Sequence, residues 1–300
     1  MARLFLLLLT AAAVFSQTLD EKVRAAIDGF KGTVSLYARN LDSGRSYGLR
    51  EDDPVRTAST IKLPVLAAVY QAIKSGQAQW TETLLLREED KVSGSGVVKE
   101  FSAGLRLPLR DLAALMIVVS DNTATNLILD RFTGDFVNAY LARNGFVQTR
   151  SMRKILGDGR NLKPVATGHS AEGRKEENRR WGIGRSTPRE MVTLLEKLER
   201  GEIVSKQASR DILSILKRQQ YKDGIGRHYE SKLPVASKSG SLDALRSDVG
   251  IVYSSGGRIA IAITVDNMPQ VDYSAENPGN KLIGRLATIL VGDLMTVVVK

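Results

Sequence analysis

The sequence predicts an α/β (α+β) fold, an antiparallel sheet flanked by N- and C-terminal helices with an inserted all-helical lobe. Three observations predict it. Alternating, β-former-rich segments occur near both ends of the chain, at Gly32–Asn40 and again at Val235–Ser241, Val249–Tyr253 and Arg258–Val265. Between them, from about residue 58 to about 210, apolar residues recur at helical spacing. The outermost segments, Leu19–Phe30 and Asn280–Val298, also carry apolar residues at helical spacing. Strands at both ends of the chain around a helical middle pair into one sheet, and the lobe between them is an insertion.

Residues 1–16 read Met-Ala-Arg and then an apolar run, Leu4 to Phe15, ending in small residues near Ser16. A membrane-spanning helix needs roughly 20 apolar residues, so this run is read as a secretory signal peptide. The expected mature chain, 17–300, is one exported domain, periplasmic or extracellular, with no stable membrane anchor after signal removal.

Leu19–Phe30 places Val23, Ala26, Ile27 and Phe30 on one helix face. Gly32–Asn40 and Arg45–Arg50 flank the turn signal Asp42-Ser43-Gly44 and predict a hairpin. Helices are expected at Leu63–Ile73, Leu109–Val119, Ala124–Phe132, Phe136–Arg143 and Arg189–Leu198. A polar stretch follows Ile155 and ends at Pro188, and loops of that length tend to carry function. The late strands are joined by short turns such as Ser254-Ser255-Gly256-Gly257. A cleft is expected where sheet and lobe meet.

Composition removes several chemistries. There is no Cys, hence no disulfide and no thiol nucleophile, and the two His, His169 and His228, have no close pairing that suits a metal. No metal or cofactor is expected. The net charge of +10 raises nucleic-acid binding. No aromatic-basic motif or zinc finger supports it, so the charge is read as a basic surface beside anionic cell-wall polymers.

A serine hydroxyl needs a neighbouring base to lose its proton during attack. No Gly-x-Ser-x-Gly elbow is present, and two His without context do not suggest a Ser-His-Asp triad. A lysine one helical turn away is the alternative base. Ser59-Thr60-Ile61-Lys62 has that spacing, as do Ser151-Met152-Arg153-Lys154 and Ser214-Ile215-Leu216-Lys217. Ser59 stands apart because it opens a strongly apolar helix, where free backbone N–H groups can stabilise an oxyanion. Pro64 is expected to kink that helix near its start. Ser120-Asp121-Asn122 follows an apolar helix and reads either as a cap cluster or as a proton shuttle beside a substrate-holding amide. Lys238-Ser239-Gly240 lies in a predicted strand and suits carboxylate binding at a strand edge, whereas Lys74-Ser75-Gly76 ends a helix.

In order and placement, Ser-x-x-Lys, Ser-Asp-Asn and Lys-Ser-Gly together resemble the class A β-lactamases and penicillin-binding serine hydrolases. The resemblance runs from about Gly32 to the C-terminus and is densest at Ser93-Gly94-Ser95-Gly96 and at Leu112–Asn126. It implies a β-lactamase/transpeptidase-like fold and catalytic roles for Ser59 (nucleophile), Lys62 (activating partner), Ser120 (proton shuttle) and Lys238. It also implies substrate contacts from Asn122, Ser239, Gly240 and Ser241, with the backbone N–H groups of Ser59 and Ser241 as oxyanion donors. The implied activity is opening of a β-lactam amide through an acyl-serine. The alternatives are a penicillin-inhibited D-Ala-D-Ala carboxypeptidase or a penicillin-binding protein without turnover. The partner is a small-molecule β-lactam or a peptidoglycan peptide; nothing here indicates an oligomeric state.

One departure bears on release of the acyl group. The class A glutamate that activates the deacylating water falls near Ile155 on counting forward from Asn144-Gly145, and an aliphatic side chain cannot activate water. Counting back from Ser186-Thr187-Pro188 brings Glu172, Glu176 or Glu177 into range instead. Arg246 is a further candidate for carboxylate binding, although Asp248 stands closer to Gly250-Ile251, where the family often has a basic residue.

Overall fold

A computed structural model describes residues 17–157, 169–229 and 232–295. The expected signal peptide lies outside the described residues, as do the last residues of the predicted C-terminal helix. The chain opens with α1 (Leu19–Ile27), whose start is fixed reciprocally: Glu21 N donates to Thr18 Oγ1 and Thr18 N donates to Glu21 Oε2 at 2.8 Å. The hairpin β1 (Thr33–Asn40) and β2 (Ser46–Leu49) follows, then the two-residue β3 (Val55–Arg56). The helical lobe contains α2 (Lys62–Lys74), a small ribbon of β4 (Thr83–Leu85) and β5 (Arg106–Pro108), and α3 (Leu109–Val118), α4 (Asn122–Phe132) and α5 (Gly134–Arg143). Next come β6 (Arg150–Ser151), β7 (Gly184–Ser186), α6 (Pro188–Glu199) and α7 (Lys206–Lys217). The chain then returns through β8 (Val235–Leu242), β9 (Leu245–Ser254) and β10 (Gly257–Asp266) to α8 (Pro278–Leu294).

The main sheet has the order β2-β1-β10-β9-β8, and its pairs are antiparallel. Pairing of β1 with β10, from Thr33 opposite Asp266 to Asn40 opposite Ile259, joins the chain's two ends. Side chains alternate across a strand, and the sequence exploits this. Ile259, Ile261, Ile263 and Val265 of β10 enter one core with α1 and α8, while Ala260 and Ala262 face the helical lobe in the other. The small alanines leave room for α6 to lie close to the sheet. Both faces are covered, so the central strands are buried on both sides.

Three local results differ from the sequence expectations. The kink expected at Pro64 is not needed: Pro64 sits in the first turn of α2, where a helix N–H has no partner to lose, and the helix runs on to Lys74. Helix α7 was not anticipated, because seven of its twelve positions are polar or charged; its buried stripe is Ala208, Ile212, Ile215 and Leu216, and Ser205 caps it through Ala208 N. The short strands β3, β6 and β7 form a second sheet, too brief for any periodicity to register. No helix among the described residues is long and apolar enough to cross a membrane.

Candidate active site

Ser59 stands in a 3-10 turn, Ala58–Ile61, immediately before α2, so the nucleophile candidate precedes the α-helix rather than opening it. The turn is clamped from two sides. Thr57 N donates to Gly184 O at 3.0 Å and Thr60 Oγ1 to Thr57 O at 2.8 Å, while β8 presses against it at Gly240. A Cβ on Gly240 would lie 2.8 Å from Thr57 O and 2.9 Å from Ser59 N, so only glycine lets the strand come this close. Ala58 adopts φ 45° and Ser120 φ 52°, both in the left-handed region that costs a non-glycine residue energy. Such outliers persist when the surroundings over-determine them, and they gather at functional sites.

Lys62, Ser120 and Lys238, brought from three distant segments, meet at one point, and Ser120 lines the same cleft as Ser59. Lys62 Nζ lies 2.7 Å from Ser120 O, 3.1 Å from Ser120 Oγ and 3.0 Å from Asn122 Oδ1. Lys238 Nζ lies 3.0 Å from the same Ser120 Oγ and 2.6 Å from Ser239 O. Both lysines are fully buried. Burial disfavours the charged form, and it pushes Lys238 down to about 7 against the opposing pull of Asp248. Lys62 is held well below the usual ammonium range, first by burial and then by the positive charge of Lys238. The downward shift makes the Lys62 amine easier to keep neutral and so better suited to accept a serine proton.

Ser120-Asp121-Asn122 is both a cap and part of the site. Asp121 caps α4 by accepting from Ala124 N at 2.8 Å, and its other oxygen accepts from Val97 N and Val98 N. Gly96, at φ 107°, passes where any side chain would strike the Asp121 carboxylate. Asn122 bridges outward: besides Lys62 it binds Ser93 O through Nδ2 at 3.0 Å, and its N–H donates to Ser95 O. The Ser93–Gly96 loop is thereby tied to the lysine pair.

These groups open on a cleft of about 700 Å³ between lobe and sheet, lined by Ser59, Ser120, Asn122, Ser239, Gly240 and Ser241 together with Ser93, Ser95, Ile155 and others. Glu172, Glu176 and Glu177 are not among its lining residues. Glu172 accepts from Lys175 Nζ at 2.7 Å and Asn178 Nδ2 at 3.0 Å, and Glu176 pairs with Arg179 at 2.8 Å. Ile155 does line the cleft, fixed by a two-way bond with Asn126: Ile155 N donates to Asn126 Oδ1 at 2.8 Å and Asn126 Nδ2 to Ile155 O at 2.9 Å. Arg246 is spent elsewhere; it is buried, donates to the carbonyls of Leu242, Leu245 and Asp272, and stacks on Tyr273.

Sequence reasoning noted Asp248 only as a departure from the family pattern and missed Asp223 and Gly224 on the cleft's other wall. Asp223, Gly224 and Asp248 line it. Asp248 is opposite Ser239 in register, accepts from Ile225 N at 2.8 Å, and is pushed by burial up to about 6. For Asp223 and Gly224 the signal in the sequence is their turn dipeptide. The two competing Ser-x-x-Lys sites lie apart: Ser151 is buried in β6 with Lys154 paired to Asp130 at 2.5 Å, and Ser214 is exposed on α7.

Residues 18–294 match the model of the Beta-lactamase enzyme family. The chain belongs to that family. A beta-lactamase of Rhodobacter capsulatus is 24% identical over 278 residues, spanning 92% of this chain and 89% of that protein. Among solved structures, a beta-lactamase from Sphaerobacter thermophilus superposes with a TM-score of 0.76 at 29% identity, covering 92% of this chain and 96% of that one. The protein PBP-A gives 0.75 at 26% identity, covering 92% and 95%. This member of the Beta-lactamase enzyme family therefore shares its fold with both beta-lactamases and a PBP, and the fold class expected from the sequence is the one observed.

Proposed function

We propose that the protein is a class A-like serine hydrolase that opens β-lactams through an acyl-serine at Ser59, and that acylation outruns release. The observation that carries this reading is the Ser120 hydroxyl held between two buried lysines beside Ser59. Neutral Lys62 takes the Ser59 proton as Oγ attacks the lactam carbonyl. The N–H groups of Ser59 and Ser241 receive the oxyanion, and as the C–N bond breaks Ser120 gives its proton to the departing ring nitrogen while taking one from the Lys62 ammonium, which returns to the neutral amine. Lys238, as the ammonium, and Ser239 hold the substrate carboxylate.

Release needs an activated water. Ile155 occupies the position that Asn126 fixes on the cleft wall, and it offers no base. This favours the second reading of the same chemistry, a penicillin-inhibited D-Ala-D-Ala peptidase or a protein that binds penicillin with little turnover. A PBP-A variant in which a leucine is replaced by glutamate has been captured as an acyl-enzyme with penicillin G, which supports acylation by penicillin on this fold. Export directed by a signal at 1–16 would put the mature chain outside the cytoplasm, where cell-wall peptides and β-lactams occur.

The test is a chromogenic cephalosporin with simultaneous protein mass measurement. The expected result is about one rapid equivalent of colour, a lasting adduct on Ser59, and slow colour thereafter. An adduct that still forms on a Ser59→Ala protein refutes the assignment.

A further inference from the structure

Arg153 lines the cleft two residues before Ile155, in a segment that is pinned along its length. Ser151 is paired to β7, Met152 N donates to Ile183 O at 3.0 Å, Ser170 N donates to Met152 O at 2.9 Å, and Ile155 is locked by Asn126. The guanidinium is thus placed by its frame. Its one hydrogen bond among the described residues is to Lys154 O, at 3.1 Å. Among the described residues, the Asp130 carboxylate pairs with Lys154 through Oδ2 and Asp135 pairs with Arg174 at 3.6 Å. Burial pulls the Arg153 guanidinium below its ordinary value, and no acid among the described residues offsets it. The His169 imidazole is pushed down by burial and then by the charges of Arg153, Lys154 and Arg174. The acids that line the cleft, Asp223 and Asp248, belong to a different wall, the segment before β8 and β9 itself. A half-buried guanidinium with five donors and a single acceptor among the described residues has capacity for a planar anion.

We propose that Arg153 is a binding subsite for a carboxylate on the acyl portion of the substrate, and that the protein prefers substrates carrying one there. The inference rests on the acyl-serine reading above, in which Lys238 and Ser239 hold the leaving portion's carboxylate. The acyl portion then extends toward the wall of residues 153–157. The substrate class is a penicillin with a carboxylated side chain, or a cell-wall peptide with an acidic group upstream of the scissile bond. An anion there receives charge-assisted hydrogen bonds from a pre-positioned partner, an advantage of about tenfold or more in acylation.

The probes are benzylpenicillin and α-carboxybenzylpenicillin, which differ by one carboxylate. Second-order acylation rates of Ser59 with each are measured by protein mass, for the wild type, Arg153→Gln and Arg153→Lys. The ratio of the two rates is the readout, because a folding defect scales both alike. The expected result is a ratio at least about tenfold lower in Arg153→Gln, with Arg153→Lys intermediate. A ratio unchanged in Arg153→Gln overturns the subsite and leaves the acyl-serine reading standing. Failure of both penicillins to acylate the wild type overturns both together.

Discussion

Replacing Lys238 with Met is expected to stabilise the protein, and to do so in a pH-dependent way that follows from burial. The ammonium is fully buried, and its pKa falls from 10.5 to about 7. Below about pH 7 the folded and unfolded chains both carry the proton, and the folded state bears the whole cost of desolvating it. As pH rises from 7 toward 10.5 the folded lysine loses its proton first, so the unfolded chain binds more protons and stability rises with pH. A depression of this size makes the wild type gain about 3 kcal/mol from this one group between about pH 6 and about pH 9. Met has a similar length and no charge, so the variant lacks that gain and its advantage is largest at acid pH. Loss of the cation also lets Lys62 rise toward its ordinary value, since Lys238 is one cause of its depression. Urea unfolding of both proteins at several pH values measures the difference. A stability difference that stays flat between about pH 6 and about pH 9, or that grows with pH, would refute the argument.

Acylation of Ser59 should follow a bell in pH, since Lys62 must be neutral and Lys238 charged; the alkaline limb is expected near 7 in the free protein, read from second-order rates across pH. Ile155→Glu should place a carboxylate on the frame that Asn126 holds and shorten the life of the penicillin adduct by about a hundredfold, as followed by mass. Gly240→Ala drives a methyl into Thr57 O and Ser59 N, so acylation should fall by about tenfold or more while far-ultraviolet circular dichroism is retained. Asp121→Ala leaves the N–H groups of Val97, Val98 and Ala124 without their acceptor and should cost about 3 kcal/mol by urea unfolding.

Much of the fold was legible because the signals were long. The alternation in Gly32–Asn40 and Arg258–Val265 and the apolar stripes of α2, α3, α4 and α8 each reach the structure within a few residues of their expected bounds. Helix α7 was obscured by its polar face, and β9 is longer than expected because Leu245, Arg246, Ser247 and Asp248 do not alternate as a strand should. At the site, motifs nominated Ser59, Lys62, Ser120 and Lys238, whose proposed chemistry requires fixed residue types at fixed spacings, and the structure brings Lys62, Ser120 and Lys238 together. What could not be read was which buried charge faces which. Arg246, expected near the substrate carboxylate, instead supports backbone carbonyls, while Arg153, inconspicuous in a decoy Ser-x-x-Lys, lines the cleft. Those outcomes depend on how loops fold back, and loop paths carry little periodic information.

The paired bonds between Asn126 and residue 155 involve only the backbone of the latter, so they are indifferent to the side chain it bears. On the acyl-serine reading proposed above, an aliphatic there would leave each protein molecule held by its first drug molecule for long periods, so that protection would scale with the number of copies present. An acidic side chain on the same scaffold would turn consumption into recycling, without any rebuilding of the chain around it.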